Sequence, residues 1–111
     1  RRDMLADASN PAREAVTMRG QVRIYTINEG QMDGWLEQFD SLVSAQAAAG
    51  ITVRASWVEV EKSQFGWIRT FADDDVEGGE AKFYGSAFWD EVVEKTRSFI
   101  SNVEVTEIEL R

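Results

Sequence analysis

Between Gln21 and Leu110 the apolar residues switch between a period of two and a period of three to four, in the order strand, helix, strand, strand, helix, strand. Few folds accept that order. Residues 21–27 set Val22 and Ile24 against Arg23, Tyr25 and Ile27, which is strand alternation. After Asn28-Glu29-Gly30, the residues Met32, Trp35, Leu36, Phe39, Leu42 and Val43 recur at helical steps, and Gly50 is placed to stop that helix in the left-handed conformation. Residues 51–62 return to alternation, with Ile51, Val53, Ala55 and Trp57 on one side and Arg54, Ser56, Val58 and Val60 on the other. Lys62-Ser63-Gln64 then folds the chain back onto QFGWIRTF, where Phe65, Trp67, Arg69 and Phe71 share a side. Asp73-Asp74-Asp75 precede a second helical region, whose start Gly78 and Gly79 weaken by about 1 kcal/mol each relative to alanine. From Ser86 the pattern strengthens through Phe88, Trp89, Val92, Val93, Thr96, Phe99 and Ile100. Residues 103–110 close the chain as a strand whose apolar phase shifts between Val105 and Ile108, the mark of a bulge or of burial on both sides.

The order β-α-β-β-α-β defines an α+β, ferredoxin-like fold, an antiparallel sheet with both helices on one face. The other face would then carry some of Tyr25, Trp57, Val58, Trp67 and Ile68, more apolar surface than a monomer ordinarily exposes. The expected cover is a second copy, giving a homodimer with a barrel-like interior. A length of 111 residues makes one domain, read as 20–111 behind an N-terminal extension over 1–19. Within the extension, Asn10-Pro11 has the form of an N-cap followed by a first-turn proline, so 11–17 reads either as a short helix or as a flexible lead-in. The two initial arginines are not followed by an apolar stretch of the secretory kind, which makes a cytoplasmic address the default.

Composition narrows the chemistry. A net charge of −8 disfavours nucleic acid and anionic membranes, both of which need concentrated Lys and Arg, and no apolar run is long enough for a membrane span. With no Cys and no His, thiolate and imidazole metal sites and Ser-His-Asp catalysis are absent from the repertoire. No metal and no cofactor is expected; Asp73–Asp75 reads as a solvated capping run.

The sharpest candidate residues are Arg23 and Arg69, each mid-strand beside an aromatic two positions away, Tyr25 and Trp67. A guanidinium buried with them must meet a carboxylate or an anionic ligand, and Glu59, Glu61, Glu107 and Glu109 are the carboxylates on neighbouring strands. Trp57 and Trp67 are candidates for a pocket wall, and Tyr84, in the turn with Gly85 between two helical segments, for its mouth.

Four segments in order resemble the NIPSNAP family: RIYTINEG, Gly50-Ile51, the F-x-W-x-R-x-F of 65–71 and the F-Y-G-S-x-x-W of 83–89. The resemblance spans about 21–110 and implies the dimeric α+β barrel superfamily. It also implies that activity is unassigned, as it is for most small members. Where relatives carry an arginine early in the helix before F-Y-G-S, this chain has 73–80 with no basic residue. Three readings of function stand. One is a small-molecule-binding domain in which Arg23, Tyr25, Trp57, Trp67, Arg69 and Tyr84 meet an apolar or anionic ligand between sheet and helices or at the dimer interface. Another is a cofactor-independent isomerase, cyclase or monooxygenase with Tyr25 or Glu59 handling protons. The third is a structural dimer module.

Overall fold

A computed structural model of the chain describes residues 18–111, so the reading of 11–17 lies outside the described residues. Strand β1 (Met18–Ile27) leads into helix α1 (Met32–Ala48), then the hairpin β2 (Ile51–Glu59) and β3 (Gln64–Phe71). A 3-10 turn (Ala72–Asp74) precedes helices α2 (Val76–Tyr84) and α3 (Ala87–Ser98), and β4 (Ile100–Leu110) closes the sheet. The strand order β2-β3-β1-β4, antiparallel throughout, is the ferredoxin-like arrangement that the alternation of periods predicts.

Local chemistry sets the boundaries. Gly50 takes φ 81°, where a side chain would be strained, and ends α1 as expected. Of the three consecutive aspartates, Asp75 is the N-cap of α2, its carboxylate accepting from the Gly78 amide at 2.9 Å. Ser86 caps α3 by accepting from the Trp89 amide at 3.1 Å, so Gly85-Ser86 divides the second helical region in two.

Tyr25, Ile27, Phe65, Trp67 and Phe71 all face the helices and are buried. Tyr25 and Trp67 therefore belong to the core, while Trp57 and Ile68 lie on the opposite face. Trp35 of α1 is the centre of an aromatic cluster, 5.6 Å from both Tyr25 and Phe65 between ring centroids. Full burial of rings this size contributes about 2–3 kcal/mol each, so this cluster dominates the packing of helix onto sheet. A second cluster joins Ala49, Ile51, Phe71 and Phe83 at the other end of the sheet.

Two strand readings need correction. The pairing of β2 with β3 slips between Val53 and Ala55, so Ile51 and Val53 face the helices whereas Ala55 and Trp57 turn to the open face. The extra residue is Arg54, whose Nε donates to Thr70 Oγ1 at 2.9 Å. In β4 the register against β1 is unbroken from Leu110 to Asn102, so there is no bulge between Val105 and Ile108. Val103 and Val105 lie on the helix side, Ile108 and Leu110 on the other, which makes the phase shift a change of face.

Candidate functional site

The helix-side residues of β1 and β3 alternate aromatic rings with polar groups, and the polar ones converge. Arg69 is fully buried, with its Nε donating to Gln21 Oε1 at 2.9 Å and one terminal nitrogen donating to Glu80 Oε2 at 2.9 Å. The other terminal nitrogen donates to Tyr84 Oη at 3.2 Å and to Gln46 Oε1 at 3.3 Å. Its carbon lies 5.3 Å from the Trp67 ring centroid, 5.1 Å from that of Phe71 and 5.7 Å from that of Tyr84. Arg69 thus joins the two aromatic clusters with its charge compensated.

Gln21 orients this network. Its carbonyl oxygen accepts from both Arg69 and Arg23 Nη1, the latter at 3.0 Å, while its amide nitrogen donates to Glu80 at 3.1 Å and Glu107 at 2.9 Å. With cations on one side and carboxylates on the other, the amide has only one favourable orientation.

Arg23 is different. Its Nε donates to Tyr25 Oη at 2.8 Å, and its carbon lies 5.7 Å and 5.9 Å from the Tyr25 and Trp67 centroids. Among the described residues it forms no ion pair. Burial works against its charge, but the neighbouring phenols of Tyr25 and Tyr84, the hydrogen bond to Tyr25 and the Glu80 carboxylate outweigh that penalty and raise its pKa. Burial likewise raises the Tyr25 pKa; Arg23 opposes the shift without cancelling it, and the phenol keeps its proton.

Arg23 and Tyr25 face a cavity of about 540 Å³ between sheet and helices, whose walls include Trp35, Phe39, Trp67 and Trp89. Tyr84, Gln46 and Arg97 add polar groups, and Val103 of the edge strand β4 completes the lining. Among the described residues no carboxylate lines it, in a chain of net charge −8. The indole nitrogens of Trp35 and Trp67 are buried without a hydrogen-bond partner among the described residues.

Of the residues singled out in the sequence, Arg23, Tyr25, Trp67 and Tyr84 are brought together here. Arg69 stands behind the cavity wall. Its partner is Glu80 of α2, none of the strand carboxylates expected. Trp57 is on the opposite face, 40% exposed and laid over Gly66. Glu59 sits at the hairpin, accepting from the Lys62 amide at 3.1 Å, and takes no part in the cavity. Gln21 and Gln46 escaped the sequence reading, although both carry a signal. Gln21 has the parity of Arg23 and Tyr25, and Gln46 continues the stripe of Trp35, Phe39 and Leu42. Among the described residues no cluster of acidic side chains could hold a metal ion, and no helix is long and apolar enough to cross a membrane.

Sheet order, helix placement and a partly open cavity define an α+β domain of ferredoxin-like topology with its candidate site between sheet and helices. No family model matches the sequence, and no curated protein matches it. The fold does match solved structures. A NIPSNAP family protein of Agrobacterium tumefaciens strain C58 aligns with a TM-score of 0.74 at 20% identity, over 85% of this chain and 86% of that one. A second NIPSNAP family protein of that strain, of unknown function, gives 0.72 at 18% identity, over 84% and 87%. An uncharacterized NIPSNAP domain protein of Burkholderia xenovorans gives 0.68 at 14%, over 82% and 92%. The chain thus shares the fold of the family that its motifs resemble.

Proposed function

We propose that this chain is a small-molecule-binding domain in which the cavity between sheet and helices encloses an apolar body and Arg23 meets its anionic end. The carrying observation is the contrast between the two arginines. Arg69 pairs directly with Glu80, whereas Arg23 stands half-buried on the cavity wall and forms no ion pair among the described residues, with Glu80 acting on it only from beyond pairing distance. Desolvating a guanidinium is costly unless an anion compensates, so an anionic ligand gains there more than it would at the surface. A volume of about 540 Å³ is within the range of small-molecule sites.

The test is binding of 2-naphthoate, read by tryptophan fluorescence and calorimetry. Three tryptophans line the cavity, so occupancy changes their emission. Arg23→Ala is expected to weaken binding at least about tenfold, the loss of a charge-assisted hydrogen bond. Equal affinity in the two proteins overturns the role of Arg23.

The same reading includes a homodimer formed through the open face of the sheet, where Trp57 and Ile68 lie. Tyr25 with its proton retained also supports a reading as a hydrogen-bond donor or general acid in cofactor-independent catalysis; Glu59 supports none.

A further inference from the structure

Among the polar side chains of the cavity, donors outnumber uncommitted acceptors. Arg23 and Arg97 carry donors and no acceptor, while the indole nitrogens of Trp35 and Trp67 are buried away from the cavity space. Tyr25, Tyr84 and Gln46 carry both, but each has its oxygen turned to an arginine: Tyr25 to Arg23, Tyr84 and Gln46 to Arg69. A hydroxyl that accepts from a guanidinium must aim its own hydrogen elsewhere. Among the described residues neither tyrosine hydroxyl donates to anything, and the Gln46 amide nitrogen is likewise uncommitted. Thr96, the other hydroxyl on the wall, donates to the Val92 carbonyl at 2.7 Å and accepts from Gln38 Nε2 at 3.0 Å. The cavity is therefore rich in free N–H and O–H groups and poor in free acceptors. An arginine behind each phenol also polarises its O–H and makes it a stronger donor.

We infer that the ligand is an acceptor-only molecule: a two- or three-ring aromatic body carrying a carboxylate or enolate for Arg23 and Tyr25 and a further carbonyl oxygen for Tyr84. This rests on the reading of the cavity as a ligand site and adds the chemistry that the site selects. A ligand amine or ammonium meets no carboxylate among the described lining residues and faces the charges of Arg23 and Arg97. A buried carbonyl meets donors that otherwise stay unpaired, and leaving a buried polar group unpaired is what makes such sites selective.

Three probes of similar size decide it: chromone-2-carboxylate, which carries a carboxylate and a ring ketone; 2-naphthoate, which lacks the ketone; and 2-naphthylmethylammonium, a donor alone. Calorimetry on the unmodified chain is expected to place chromone-2-carboxylate about fivefold or more tighter than 2-naphthoate, with no binding of the ammonium. Tyr84→Phe should erase the difference between the two acids, and Tyr25→Phe should weaken both. If the two acids bind the unmodified chain equally well, or the phenylalanine variants bind both acids unchanged while Arg23→Ala still weakens them, the donor inference falls and the cavity reading stands. If no probe binds, or the ammonium binds as well as the acids, both fall. The ranking on the unmodified chain decides the matter even if a variant melts too low to be titrated.

Discussion

At the scale of single residues the chain uses two arginines of the same sheet face in opposite ways. Arg69 has every nitrogen committed, and Glu80, whose side chain is about a third exposed, carries its counter-charge. Removing the carboxylate strands a buried cation, whereas keeping its shape preserves an acceptor. Glu80→Ala is therefore expected to destabilise the fold by about 3 kcal/mol, the low end for a broken buried pair because Glu80 is part-hydrated, and Glu80→Gln by less. Urea unfolding of the two variants checks the order. Tyr25 supplies a second residue-scale prediction. Its folded pKa lies above the ordinary value of 10.0, so above that pH the unfolded chain has released a proton that the folded chain keeps. This contribution is fully present below about pH 10 and is lost as pH rises towards the folded pKa. Thermal melts from about pH 9 to about pH 11 should fall more steeply for the unmodified chain than for Tyr25→Phe, and parallel slopes would refute the assignment.

At the scale of elements, glycines that look like weak helix formers prove to be contact points. A methyl group on Gly79 would come within 2.8 Å of Phe71 Cδ2, so its absence lets α2 settle on β3 and bring Glu80 to Arg69. Gly79→Ala gains helix propensity of about 1 kcal/mol but forces the helix off the strand, and a net loss of about 1–2 kcal/mol by denaturant unfolding is expected. A net gain would show that α2 shifts freely. Helix α1 and strand β3 were legible because each carries an unbroken period, from Met32 to Val43 for α1 and from Phe65 to Phe71 for β3. What periodicity could not convey was decided by tertiary pairing. The bulge at Arg54 moves Ala55 and Trp57 to the other face without any change in the spacing that predicted them together. The Arg69–Glu80 pair spans a turn and a helix start whose residues have no apolar rhythm, so nothing local marks Glu80. Arg23, Tyr25, Trp67 and Tyr84 were found because a polar or amphipathic group on an apolar strand or motif is conspicuous. Gln21 and Gln46 are of the same type without a charge to draw attention.

At the scale of the whole molecule, the sheet has one face under helices and one that the described residues leave open. Val22, Ile24, Ile68, Trp57, Ile108 and Leu110 occupy the open face, while Arg54 and Glu104 of the two edge strands lie toward its margins. Apolar residues that run across all four strands, with Arg54 and Glu104 among them on the edge strands, suit an interface. Four strands about 4.8 Å apart and about 30 Å long cover roughly 570 Å², so pairing two such faces removes roughly 1,100 Å² or more from water. That is near the threshold for a specific interface, so a charge at its middle should be decisive. Light scattering at about 10 μM is expected to give twice the chain mass, falling to one chain for Ile68→Glu. Gly66→Ala tests the same face differently, because Trp57 covers the position a methyl group would take and must be displaced from the interface. Weaker dimerisation with an intact fold by circular dichroism supports the face-to-face pairing. A monomer in the unmodified chain, or an unchanged mass in Ile68→Glu, removes the dimer while leaving the cavity, which lies on the other side of the sheet, to be judged by its own ligands.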